Sequence, residues 1–308
     1  MHPFQLSKRL VRFALTHVVL FTLAFFLTII PSTFAKQPDT NSPAGGFHTQ
    51  TTKPPATTPQ QLLEQGEALY QSGRFAEAVT VLQQAVSIYQ REGDTRLRLR
   101  SAPKGASAPF GASVKPPAYR LAQAAASTNL SLASLALGSW KEASKAINTS
   151  LNLLGWDENN QKLNVNNPKS ELLEILAQTL EIQGGLQLAQ GQADVSLKTS
   201  QISEQIWKRL GKQYNTGVTR SRINSAQALR VSGFYRRSLD ILNEVSQQLQ
   251  TQPDSLEKVT ALRSLGNAEQ QLGDLEQSQK NLQQSLEIAQ RLQLPQEISL
   301  TEFSLGNT

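Results

Sequence analysis

Gln71-Ser-Gly-Arg-Phe-Ala-Glu-Ala78 returns in altered form as Leu137-Gly-Ser-Trp-Lys-Glu-Ala143, and this recurrence decides the fold. Five glycines sit in such stretches: Gly73, Gly138, Gly191, Gly233 and Gly273, separated by 65, 53, 42 and 40 residues. Seven residues before each glycine the side chain is small: Gly66, Ser131, Gly184, Ala226 and Gly266. Five after it come Ala78, Ala143, Ser196, Ser238 and Ser278; twelve after it come Ala85, Ser150, Ser203, Val245 and Ser285. Nine after it the residue is apolar in Leu82, Ile147, Leu242 and Leu282, with Ser200 the exception. A period near 40 means one supersecondary unit, stacked so that neighbours bury each other's apolar faces. Small residues let two helices approach closely, large apolar ones fill the groove between them, and glycine takes the positive φ of the turn.

The unit resembles the tetratricopeptide repeat, a helix–turn–helix, in a form of roughly 40 residues rather than the 34-residue tandem form. The resemblance implies an all-α, right-handed α-solenoid of about five and a half repeats over residues 59–308. Repeat three is the weakest, with Ala193 and Ser200 where bulkier residues are expected. Phe75, Trp140 and Tyr235, at bulky positions beside the turns, are expected to plug the core.

The rest of the chain is of other kinds. Lys8, Arg9 and Arg12 precede an uncharged run from Phe13 to Ile30, and Ser32-Thr-Phe-Ala35 follows. This is the pattern of a signal peptide over residues 1–35, so export to a periplasmic or extracellular location is expected. The run is long enough to span a bilayer if it is not cleaved, which leaves a membrane anchor open. Residues 36–58, rich in Pro, Thr, Gly and Ser, read as a disordered tether. Residues 96–119 hold four prolines and two glycines and read as a loop inserted between repeats one and two; without them the first spacing falls to 41. Helix two is therefore expected to end near Arg91. Residues 155–169 read as a long polar loop, and 296–308 as a truncated final repeat.

Composition excludes several functions. There is no cysteine, hence no disulfide and no thiolate chemistry. The three histidines, His2, His17 and His48, precede the repeats, so histidine-based catalysis and histidine metal sites are not expected there. No phosphate loop occurs, and Ser255-Leu-Glu-Lys258 reads as a helix start rather than an activated serine. Neither catalytic residues, a cofactor nor a metal is expected. The formal charge of +6 comes from the leader and the insertion; the remainder carries 22 basic and 24 acidic residues, so no nucleic-acid partner is expected.

Binding is the remaining class. In tetratricopeptide arrays the first helix of each unit lines the concave surface. That placement puts Arg220, Asn224, Gln227 and Arg230 of repeat four, and Arg263, Asn267 and Gln270 of repeat five, on or near it. Guanidinium and amide donors match carboxylate acceptors, so these residues resemble a clamp for a peptide carboxylate; ordinary solvated polar residues are the alternative. The expected partner is a protein or peptide.

Asn129-Leu-Ser-Leu132, Ser150-Leu-Asn-Leu-Leu154, Gly184-Gly-Leu-Gln-Leu-Ala-Gln-Gly191 and Ser221-Arg-Ile-Asn-Ser-Ala-Gln-Ala-Leu229 with Gly233-Phe-Tyr-Arg-Arg237 carry a further likeness. Their order resembles the repeat arm of cyanobacterial secreted proteins that end in a CHAT domain. The resemblance implies a protein-interaction arm for a caspase-like module whose His/Cys pair this chain lacks. It leaves three roles open: a free binding scaffold, a truncated or split arm of such a protease system, and a membrane-tethered assembly scaffold.

Overall fold

The computed structural model describes residues 58–101, 116–165 and 167–308. The leader, residues 36–57 of the tether and residues 102–115 of the insertion lie outside them. Among the described residues eleven α-helices follow one another. The first helices of the units are α1 (Pro59–Gln71), α3 (Pro116–Ala136), α5 (Ser170–Ala189), α7 (Asn215–Val231), α9 (Leu256–Leu272) and α11 (Pro295–Gly306). Their partners are α2 (Phe75–Ser101), α4 (Trp140–Leu154), α6 (Ala193–Leu210), α8 (Tyr235–Gln250) and α10 (Leu275–Arg291). Each helix packs on its neighbours in the chain, and the first helices also pack on one another in order. No two second helices pack together to a comparable extent. This is an α-solenoid, with the first helices forming one continuous layer.

The turns work as the glycine spacing requires. Gly73, Gly138, Gly191, Gly233 and Gly273 have φ between 70 and 85°, and a Cβ at any of them would meet nothing within 4 Å. Glycine is needed here for the backbone angle, not for room. The residue after each glycine donates its N–H to a carbonyl five residues back, as in Arg74 to Leu69 and Asp274 to Glu269, which closes the helix end. At the other end of α1, Thr58 and Gln61 form a reciprocal capping box, and Pro59 sits where its missing N–H costs nothing.

Room is what the small residue seven before each turn provides. A Cβ on Gly66 would lie 2.5 Å from Leu82 Cγ, and one on Gly266 would lie 2.7 Å from Leu282 Cγ. The two positions singled out by the sequence therefore face each other across the helix pair. The serines after the turn then tie the pair together. Ser196 Oγ donates to the Gly184 carbonyl at 2.8 Å and Ser238 Oγ to that of Ala226 at 2.7 Å. Ser203 and Ser285, seven residues further on, donate to the carbonyls of Ala177 (2.8 Å) and Val259 (2.9 Å).

Four expectations need correcting. The α2 helix does not stop near Arg91 but runs to Ser101, because no breaker precedes Pro103. The α3 helix starts at Pro116, within the expected insertion, since prolines are tolerated in a first turn. The loop at 155–169 contains a short antiparallel hairpin, β1 (Trp156–Asp157) with β2 (Lys162–Leu163). It turns where Asp157 accepts hydrogen bonds from the Asn159 and Asn160 amides, and Gln183 Nε2 ties it to α5 through Glu158 at 2.7 Å. Finally, Trp140 is no core plug: it stands 42% exposed, while Phe75 and Tyr235 are half-buried.

The actual plug is Trp207, buried in α6 against Gly217, where a Cβ would come within 2.5 Å of the indole. It stacks on Tyr214 at 5.5 Å and fills the junction of repeats three and four. Elsewhere at that junction the packing is through buried Ser200, Ser203, Ser221 and Ser225. The small residues set an expected outcome: Gly266→Ala loses about 1–3 kcal/mol through overpacking. Exposed Gly185, in the middle of α5 with open space around it, behaves oppositely, and Gly185→Ala gains about 0.5–1 kcal/mol. Urea unfolding midpoints of the two variants against the parent check both signs.

Candidate functional site

The layer of first helices is held together by charge as well as by apolar contact. Arg220 on α7 reaches in both directions, its Nε 2.6 Å from Glu181 on α5 and its Nη1 3.4 Å from Glu257 on α9. Arg263 on α9 continues the series, 2.8 Å from Glu297 on α11. Gln227 Nε2 donates to Ser264 Oγ at 2.9 Å, joining α7 to α9 again, and Gln270 donates to the Asn307 carbonyl beyond α11. Of the seven residues expected at a clamp, these four act as rungs between successive first helices.

The other three have capacity left. Asn224 and Asn267 are half-buried, and their side-chain amides make no hydrogen bond among the described residues. Arg230 is half-buried, its Nε is shielded from solvent without an acceptor, and no carboxylate among the described residues pairs with it. Burial lowers its pKa; nearby Tyr235 opposes that and Arg263 adds to it by repulsion. Arg263 Nε is likewise buried without an acceptor. Two guanidinium groups, on α7 and α9, thus stand within electrostatic reach of each other, and only that of Arg263 has a described carboxylate partner, Glu297. That carboxylate also acts on α1: burial first, then the charge of Glu297, raises the Tyr70 hydroxyl above its ordinary value.

Sequence reasoning located the cations and missed the anions that occupy them. Glu181, Glu257 and Glu297 were legible only as acidic residues scattered over separate helices, and nothing short of the packing of α5, α7, α9 and α11 brings them to the arginines. Burial pushes the Glu181 carboxyl up, and Arg220 opposes it; Trp207 Nε1 contributes a little, although neither it nor Glu181 Oε2 has a well-formed hydrogen bond. Arg220 itself stays charged, because Glu181 and Glu257 outweigh the cost of its burial. Among the described residues no group of three His, Asp or Glu side chains could hold a metal ion. No helix among them is long and apolar enough to cross a membrane.

The rungs imply a cost when broken. Arg220→Met leaves Glu181 buried without a cation, and solvent reaches the Arg220 side chain, 36% exposed, so the loss falls below that of a fully enclosed pair. A decrease of about 1–3 kcal/mol is expected, largely restored in the double variant Arg220→Met with Glu181→Leu. Chemical denaturation of the two variants and the parent measures this.

Comparison with known proteins agrees with this architecture. Family models of the tetratricopeptide repeat match residues 219–291 and residues 66–92. No curated protein matches the chain. Among solved structures, a putative kinesin light chain with nearly identical TPR-like repeats from Podosopora anserina is 17% identical, covering 76% of this chain and 95% of that one with a TM-score of 0.49. A STAND signal-transduction ATPase with a tetratricopeptide repeat sensor from Pyrococcus horikoshii is 10% identical, covering 80% of this chain and 32% of that one with a TM-score of 0.52. The latter likeness is one of fold, and most of that ATPase has no counterpart here. Residues 219–291 and 66–92 thus carry the tetratricopeptide-repeat pattern, and the glycine turns and helix pairing continue the same α-solenoid architecture through the described residues.

Proposed function

We propose that the chain is an exported, non-catalytic scaffold that binds a protein or peptide on its layer of first helices, around Arg230. Tetratricopeptide folds are protein-interaction scaffolds, which sets the class. The observation that carries the finer reading is the state of Arg230: a half-buried guanidinium with no carboxylate paired to it among the described residues, within electrostatic reach of Arg263. The other arginines of α7 and α9, namely Arg220, Arg222 and Arg263, each pair with a carboxylate of the chain itself. A carboxylate brought by a ligand supplies what Arg230 lacks, and Asn224 and Asn267 offer further donors. Export follows from the leader read in the sequence, with anchoring by residues 13–30 as the version in which cleavage fails. The arm of a CHAT-type protease system is the second reading, favoured by the ordered motifs from Asn129 to Arg237.

The test uses the full chain against an array of peptides ending in a free carboxylate and the same peptides amidated. Binding should weaken at least about tenfold on amidation and equally on Arg230→Gln, a change of about 1.4 kcal/mol or more. Folding stability should be kept or improved in Arg230→Gln, because the variant removes a buried charge that has no partner. Ligands that bind the parent and Arg230→Gln alike would remove this site from the reading. N-terminal sequencing of the protein from the medium and from membranes distinguishes release from anchoring.

A further inference from the structure

Helices α8 and α10 diverge over α9 and leave a groove of about 580 Å³. Its apolar walls and floor come from Leu239, Leu249, Ala261, Leu262, Leu265 and Leu272, and its rim carries amides such as Asn243, Gln247 and Gln284. One lining residue does not fit this description. Glu269, on α9, is only 6% exposed, and both of its carboxylate oxygens accept from the single amide nitrogen of Asn281, at 2.9 and 2.8 Å. No cation pairs with it among the described residues, and the charged neighbour it feels is another acid, Asp274. A carboxylate has about four acceptor sites, so one neutral nitrogen leaves most of its capacity unused.

The repeat itself does not require this carboxylate. The residue four before the turn glycine is Leu69, Ser134, Gln187 or Leu229 in the other units. The position of Asn281, eight after the turn, holds Val81, Ala146, Thr199 or Ile241. The Glu269–Asn281 pair is peculiar to repeat five and lies in the wall of the groove. The two lysines that also line it are not placed to serve. Lys258 Nζ is held by the carbonyls of Gln250 and Gln252 at 3.3 and 3.1 Å and lies 3.6 Å from Asp254, and Lys280 is exposed on α10.

We propose that this groove receives a lysine or arginine side chain of a partner protein. The aliphatic stem packs along Ala261, Leu262 and Leu265, and the cation meets Glu269, with Asn281 holding the carboxylate in place. Charge complementarity chooses this occupant: an apolar side chain would seal the carboxylate away from water unpaired, and an acidic one would add to the repulsion from Asp274. The site lies on α8, α9 and α10, and it stands or falls independently of the Arg230 reading.

The probes are two amidated, acetylated peptides, Ala-Leu-Lys-Leu-Ala and its glutamine counterpart Ala-Leu-Gln-Leu-Ala, titrated into the full chain at pH 7.5. The side-chain amide resonances of Asn281 report the site directly. The lysine peptide should bind at least tenfold more tightly than the glutamine peptide and shift those resonances. That preference should vanish in Glu269→Gln and survive in Arg230→Gln. Gln284→Trp, at the exposed rim, should weaken the lysine peptide without changing the melting temperature. Equal affinity for the two peptides, or a lysine preference that persists in Glu269→Gln, overturns the proposal.

Glu269→Gln also has its own folding control. Burial, then Asp274, raises the Glu269 carboxyl above its ordinary value, so the folded chain binds that proton more tightly than the unfolded one. Without ligand, the contribution is full below the ordinary carboxylate pKa and is lost as pH rises through the raised one. With Asp274, Lys258 and Lys280 unchanged around the groove, Glu269→Gln should melt no lower than the parent at pH 7.5, so loss of binding is not loss of fold.

Discussion

The close approach of the two helices in each unit is the constraint on which the rest depends. At Gly66 and Gly266 the partner leucine occupies the space a Cβ would need. That contact fixes the distance between helices, and the turn glycine fixes the angle at which the second leaves the first. Once both are set, serine hydroxyls after the turn come within reach of carbonyls on the first helix, as in Ser196 and Ser238 and again in Ser203 and Ser285. Buried hydroxyls in place of leucines would ordinarily weaken a core. Here each of these four has an acceptor on the neighbouring helix, so the small residues that allow the approach also pin its register.

At the junction of repeats three and four the core is least apolar. The buried apolar residues among those described form four clusters, each shared by two successive repeats, and none joins repeats three and four, whose junction is built from serines around Trp207. Arg220 crosses this junction to Glu181. An ion pair partly open to solvent adds modestly to stability, but it also fixes which side chain faces which across the joint. At this joint, then, orientation is set by directional contacts where dispersion and the hydrophobic effect are thinnest. In a solenoid, whose stability is a sum over neighbouring interfaces, such a joint governs how the two halves unfold relative to each other.

The parts of the structure that were legible in the sequence are those imposed by backbone geometry and volume. Positive φ selects glycine, and close approach selects Gly, Ala or Ser, so the turns and the facing positions could be read by counting from Gly73 and its counterparts. What could not be read depends on which units meet. Trp207 lies outside the recurrent pattern because it fills a space created by Gly217 in the next unit. Trp140 occupies a repeated bulky position yet stays largely exposed, because the pattern records residue size and not the neighbour that would cover it. The acceptors of Arg220 and Arg263 lie in other units, 34 to 39 residues away for the closest pairs, and no spacing within one unit points to them. The extension of α2 to Ser101 has a simpler cause: the breaking composition of 96–119 is uneven, and its prolines begin only at Pro103.

Two charges remain that the fold does not use. Arg230 sits three residues before its turn, where the other units carry Tyr70, Leu135, Leu188 or Gln270. Glu269 sits four before the next turn, where no other unit is charged. Glu269 is buried and Arg230 half-buried with its Nε shielded, and neither has an ionic partner among the described residues. Burying a charge without an opposite charge costs free energy, and a leucine at either place would cost less. The arginines at 220 and 263 show that the same layer of helices can neutralise a cation when its geometry supplies a carboxylate. Repeats four and five therefore hold an unmet positive charge among the first helices and an unmet negative one in the groove between second helices. Being opposite in sign, they call for different chemical groups, an acidic one at Arg230 and a basic one at Glu269, so the two proposed sites make no demand on a common group.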